Sequence, residues 1–115
     1  MTSAVIITTD DILEIVDMPE EDKVLELLQT TVGGLIEAVT LEPGIVMWVN
    51  EEGLIRGLPV NRLASLMHSN GREPITVITG DVIITGVDQK GETRGLPIEE
   101  ASKLAAITLT GGQRT

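Results

Sequence analysis

A chain of 115 residues with 42% hydrophobic and 23% charged side chains is long enough for one ordinary hydrophobic core and too apolar for a disordered segment. It has no cysteine, which excludes disulfides and thiolate chemistry, and a single histidine, His68, which leaves little material for a zinc site. The formal charge of −10 argues against general nucleic-acid binding, because phosphates would be repelled.

Residues 4–8 are a short run of strand-forming type, Thr9-Asp10-Asp11 reads as a turn, and residues 12–16 return as a second strand. Asp17 stands three residues before Glu20 at capping-box spacing, Pro19 fits a first helical turn, and acidic residues follow where the helix dipole favours them. The spacing predicts a helix over 19–31 with Val24, Leu25, Leu27 and Leu28 toward the core, ended by Gly33-Gly34. Residues 35–41 read as a strand and Glu42-Pro43-Gly44 as a turn; residues 45–49 return as a strand carrying Trp48. Asn50 and Gly53 frame a further turn, residues 54–57 read as a third strand, and Leu58-Pro59 leads into a helix with Leu63, Leu66 and Met67 on one face, stopped by Asn70-Gly71.

The second half repeats this plan. Residues 75–78 and 82–87 read as strands joined near Gly80-Asp81, and Asp88 and Gly91 frame a turn like the one at Asn50. Residues 92–95 read as a third strand, Pro97 opens a helix presenting Ile98, Ala101, Leu104 and Ala105, residues 107–110 read as a closing strand, and 111–115 as a frayed tail. The expected fold is α+β, with a mostly antiparallel sheet and about three helices, because the connections are too short for parallel crossovers. The pattern is compatible with an open sheet and with one curled into a partial barrel. Residues 1–115 form one expected domain: an acidic hairpin and helix over 1–32, a first unit over 33–71, a second over 72–110, and the tail.

The core is unusual in kind. There is no Phe, no Tyr and one Trp, so aliphatic side chains must do nearly all the packing, and Trp48 reads as a core anchor in preference to a base-stacking platform. His68 reads as a residue late in its helix, and Asp10 and Asp11 as turn residues without the spacing of a calcium loop. No apolar run approaches the roughly 18 residues of a membrane span, and the N-terminus lacks the basic region of a signal peptide, so a soluble, intracellular protein is expected.

Two features invite a functional reading. The first is charge: residues 1–26 carry eight acidic side chains against Lys23 alone, whereas from Gly53 onward six acidic residues stand against seven basic ones. Asp10, Asp11, Glu14, Glu20, Glu21 and Asp22 form a candidate acidic face for a basic partner, with a solvated, solubilising surface as the plainer explanation. The second is a doubled motif, Arg56-Gly57-Leu58-Pro59 and Arg94-Gly95-Leu96-Pro97, which suggests internal duplication of a strand-strand-strand-helix unit. Its structural reading is complete: glycine permits a bend from strand to helix, proline sets the first turn, and arginine pairs with a carboxylate. Its functional reading places Arg56, Asn61, Arg62 and Arg94 around an anion or nucleotide pocket beside helix N-termini. Catalytic signatures are absent: Ser65, Ser69 and Ser102 have no nucleophile elbow around them, and there is no Walker loop and no Cys–His pair.

Gly33-Gly34-Leu35-Ile36-Glu37-Ala38-Val39, Val49-Asn50-Glu51-Glu52-Gly53, Gly57-Leu58-Pro59-Val60-Asn61 with Ala64, and Gly80-Asp81-Val82 together resemble a family of small uncharacterised proteins. That family is common in bacteriophages, also occurs in actinobacterial and archaeal genomes, and is known as a domain of unknown function; the likeness spans roughly residues 33–97. It implies a small phage-type accessory protein in the host cytoplasm and supplies no activity, cofactor or metal. In that context the expected function is non-enzymatic: binding, and modulating or inhibiting, a host or defence protein through the acidic face. The alternative is a sponge that sequesters a nucleotide signal. Neither a direct nucleic-acid partner nor a membrane is expected, no cofactor is expected, and a homo-oligomer is compatible with the sequence.

Overall fold

The computed structural model describes residues 2–70 and 76–110, the side chains of 109 and 110 excepted. The run Ser3–Ile7 (β1) and the run Leu13–Asp17 (β2) pair antiparallel as predicted, with Val5 opposite Ile15. At their turn the Thr8 hydroxyl accepts from the backbone N–H groups of Asp10 and Ile12, and Asp11 takes a left-handed φ of 62°. Aspartate tolerates that conformation better than most residues. A single 3-10 turn (Glu21–Lys23) leads into α1 (Val24–Val32), followed by β3 (Ile36–Glu42), β4 (Ile45–Asn50), α2 (Arg62–Ser69), β5 (Val82–Val87), β6 (Thr93–Arg94) and α3 (Ile98–Thr110).

The strands form one six-stranded sheet in the order β2-β1-β5-β4-β3, with β6 pairing β5, and each of these pairings is antiparallel. The fold is therefore α+β, and the sheet is not closed into a barrel: β2 and β3 are its two ends. Along one side of β5, β1 covers residues 82–84 and β6 covers residues 86 and 87.

Strand alternation directs side chains to two cores. Val5, Ile7, Met47, Val82 and Ile84 pack beneath α2 and α3 with Leu63, Met67, Ala101 and Leu104. Ala4 and Ile83 face the other way, toward Leu28 and Val32 of α1, with Trp48 half-buried at the margin. Ile83 and Ile84 are both 0% exposed yet serve opposite faces, and each such burial is worth about 1.5–3 kcal/mol. β5 is thus the strand on which both layers of helix depend.

Several expectations are corrected. Residues 54–57 are not a strand: residues 51–57 form successive turns, because Arg56 N–H donates to the Glu52 carbonyl and Leu58 N–H to the Gly53 carbonyl, so these donors close locally. The helix after Pro59 begins only at Arg62, where Asn61 supplies the cap. Residues 76–78 form no strand, and Thr79 makes one isolated bridge to Val60, so the hairpin read at Gly80-Asp81 does not form; β5 instead finds β1 and β4. Ile75 and the tail 111–115 lie outside the described residues. Residues 107–110 are the last turn of α3, not a strand. The capping box is not made, since the Glu20 side chain gives no cap hydrogen bond and Pro19 precedes the helical residues. Leu25, Leu66 and Ile98 point outward and not into the core.

The duplicated motif repeats only in its turn. Asn50 Oδ1 accepts from Glu52 N–H and Asp88 Oδ1 accepts from Lys90 N–H, and in each case the glycine three residues on donates to the Asx carbonyl. Beyond the glycine the paths part: Asp88 N–H closes a hairpin onto the Glu92 carbonyl, while Glu52 and Gly53 continue as turns. Internal duplication at the level of a strand-strand-strand-helix unit is not seen.

Candidate functional site

The four residues proposed as an anion pocket are placed by four different local needs. Arg56 Nη1 donates to the Gly33 carbonyl at 3.1 Å, and Asn50 Nδ2 donates to the Val32 carbonyl at 3.1 Å, so the two side chains cover the C-terminal carbonyls of α1, where a cation is favoured. Asn61 is 0% exposed; its Oδ1 accepts from Ala64 N–H and its Nδ2 donates to the carbonyls of Ile7 and Gly80. It faces the protein interior. Arg62 reaches Asp11 at 3.1 Å, and Arg94 pairs with Asp88 at 3.0 Å and Glu92 at 2.9 Å. These groups have no partner in common.

The acidic residues are likewise divided. Asp11 turns toward α2 through Arg62, whereas Glu14 lies opposite Ile6 on the α1 side of the sheet. Glu20, Glu21 and Asp22 follow beyond the far end of β2, so roughly 14 Å of strand separates them from Asp10 and Asp11. All six side chains are exposed.

What the fold does bring together is a cleft of about 340 Å3 between α1, β4 and the β5–β6 hairpin. Trp48 lines it, with Val24, Leu25 and Leu28 on one wall and Thr93 and Arg94 on the other. The indole is oriented by its Nε1–H, which donates to Thr85 Oγ1 at 2.9 Å, so one part of the ring packs on the α1 core while another borders the cleft. Glu21 and Glu92 stand at the rim with Arg94, giving two carboxylates to one guanidinium. Sequence reasoning missed Leu25 as a surface residue. Helical spacing carries no signal for it, since Leu25 stands three residues before Leu28 and seven before Val32, on the flank of the same face.

The hairpin side of the cleft is held by Asp88. Its carboxylate accepts from the backbone N–H groups of Glu92 and Lys90 and pairs with Arg94. The Glu92 hydrogen bond chiefly, with that of Lys90 and the Arg94 charge, holds its pKa below the ordinary aspartate value of 3.8. A lowered folded-state pKa stabilises the turn above the ordinary value, and that contribution is lost as pH falls through the folded value. An NMR titration of the Asp88 carboxyl should therefore give a midpoint below 3.8; a midpoint at or above it would show the turn to be open in solution.

No group of three or more His, Asp or Glu side chains among the described residues could hold a metal ion, and no helix among them is long and apolar enough to cross a membrane. The family profile described as a domain of unknown function, DUF3846, matches residues 1–108. The chain belongs to the DUF3846 family. The match extends the likeness read from residues 33–97 through the acidic hairpin and α1 to most of α3, so the Trp48 cleft lies wholly within the DUF3846 domain. Neither a curated protein nor a solved structure matches the chain. Membership of DUF3846 therefore brings no activity, ligand or partner with it.

Proposed function

We propose that the protein is a non-enzymatic interaction module that seats a basic protein partner against Glu20, Glu21 and Asp22, with the Trp48 cleft receiving an apolar side chain of that partner. The observation that carries this reading is the juxtaposition of an aliphatic wall, of which Leu25 is 55% exposed, with an oriented indole and a net-acidic rim. Aromatic anchors in small desolvated pockets dominate binding energy at many interfaces, while surrounding charges steer encounter. The partner envisaged is a host or defence protein, and the context a phage-type accessory role that modulates or inhibits it.

Affinity capture from cell lysate, compared between the wild-type chain, a Glu20→Gln/Glu21→Gln/Asp22→Asn variant and Leu25→Ser, tests this. A basic protein held by the wild type and released by both variants is the expected result. Identical capture by all three would overturn it.

A nucleotide-sponge reading has one observation in its favour, that Trp48 and Arg94 border the same cleft. Against it, Arg94 is already paired with two carboxylates and Glu21 would face the phosphates. Calorimetry with cyclic and linear adenine nucleotides separates the readings, since saturable binding lost on Arg94→Gln would establish the sponge.

A further inference from the structure

The β2 end of the sheet carries an inference independent of the Trp48 cleft. β2 is an end strand with only β1 beside it. The register tells which of its backbone groups are already used. Thr8 N–H donates to the Ile12 carbonyl and Met18 N–H to the Thr2 carbonyl, and facing pairs in an antiparallel ladder alternate between bonded and unbonded. Glu14 and Val16 therefore turn their N–H and C=O groups toward β1, while Leu13, Ile15 and Asp17 turn theirs away from the sheet. No hydrogen bond to these outward groups is made among the described residues. β2 has neither the proline nor the bulge that commonly guards an edge strand. Its side chains alternate between two rows. Leu13 and Ile15 stand beside Ile7 and Val5 on the side of α2 and α3, and Glu14 stands beside Ile6 on the side of α1. Ile15 is 36% exposed, and Ile12, just before the strand, 57%. Glu14 and Asp17 are exposed and make no ion pair among the described residues.

From this arrangement we infer that the outer edge of β2 receives an extended segment of a partner protein in which aliphatic side chains alternate with lysine or arginine. The segment bonds through its main chain to the outward groups of Leu13, Ile15 and Asp17. Because the pleat continues into an added strand, its aliphatic side chains extend the row of Leu13 and Ile15, and its cations flank Glu14 on the other face. Strand addition, with main-chain bonds giving affinity and alternate side chains giving specificity, is an established mode of peptide recognition. Charge decides between candidate occupants. A second copy of this chain would set the same carboxylates against Glu14 and Asp17 and bring a formal charge of −10, whereas a basic strand complements both acids.

The test uses a fluorescein-labelled decapeptide of alternating valine and lysine, titrated into the full chain by fluorescence anisotropy, with a valine–glutamate decapeptide as control. Two further valine–lysine peptides carry N-methyl groups, one on its valine amides and the other on its lysine amides. An added strand turns one of these sets toward β2 and the other away, so one methylated peptide is expected to bind roughly tenfold or more weakly, the scale of one or two lost hydrogen bonds, and the other as the parent does. The valine–glutamate peptide is expected not to bind, and Glu14→Lys/Asp17→Lys to reverse that preference. Ile15→Pro removes an outward N–H and no bond to β1, and should weaken binding by a similar factor; the methylated peptides decide without it if that variant fails to fold. On binding, amide exchange should slow at Leu13, Ile15 and Asp17. Equal affinity for the two methylated peptides would mean that the peptide reads overall charge alone, and would overturn the proposal, as would unchanged exchange at those three amides or no binding at all. A dimer seen by sedimentation in the wild type and lost in Ile15→Pro would overturn it in favour of self-association.

Discussion

Replacing Asn61 by alanine is expected to destabilise the protein by about 3–4 kcal/mol, a large fraction of the roughly 5–15 kcal/mol that a domain of this size has in total. The side chain is 0% exposed and serves three elements at once: it caps α2 through Ala64 N–H, and it ties that cap to the end of β1 through the Ile7 carbonyl and to the approach to β5 through the Gly80 carbonyl. Loss of a cap costs about 1 kcal/mol, and each buried acceptor left without its donor costs about 1–3 kcal/mol. Aspartate is expected to do no better than alanine: it keeps the acceptor for Ala64 but turns a charged oxygen toward two carbonyls. Urea denaturation with an unchanged slope measures the loss. A change below about 1 kcal/mol would show that water replaces the amide without penalty.

The second large effect separates two glycines that occupy the same place in a repeated motif. Gly95→Ala is expected to cost about 2–3 kcal/mol and Gly57→Ala about 1 kcal/mol, for unrelated reasons. A Cβ on Gly95 would run into the Thr2 side chain and approach Met18 Cγ at 2.5 Å. The Thr2 segment cannot readily withdraw, because Ser3 and Leu96 exchange backbone hydrogen bonds of 2.7 Å and Met18 N–H donates to the Thr2 carbonyl. Gly57 has a φ of +67° and nothing within 4 Å of the added carbon, so its need is conformational alone. Asparagine, which accepts the left-handed region, should restore much of the Gly57→Ala loss but deepen that at Gly95. Thermal unfolding of the four variants decides the matter. Equal losses for the two alanines, or no recovery in Gly57→Asn, would refute this assignment.

That pair also explains how far the sequence could be read. The β1–β2 hairpin, Gly33 as the end of α1, the Asp88 turn and the core positions Leu63, Met67, Ala101 and Leu104 followed from local rules, because each is specified within a few residues. The third strand at 54–57 did not form because its backbone donors are satisfied within their own turns, a competition that propensity cannot rank. The hairpin expected at Gly80-Asp81 failed for a different reason: β5 has its two sides taken by β1 with β6 and by β4, so residues 76–78 cannot pair with it. The candidate site was legible in its parts, Trp48, Arg94 and Glu21, but not as a site, since their approach depends on the order of strands. Asn61 and Arg56 read as ligand-binding types because buried polar bracing and exposed polar recognition use the same side chains.

The position of β5 has a bearing on how the chain reaches its native state. Two hairpins, β1–β2 and β3–β4, are complete before residue 82 is made, and each is an isolated two-stranded ribbon of marginal standing until β5 enters between β1 and β4. The decisive closure therefore joins residues 5–7 to residues 82–84, some of the most distant pairings in the polypeptide. A topology so rich in remote contacts places folding in the slow range for single domains, and it leaves the apolar faces of both hairpins uncovered during synthesis until their common partner arrives.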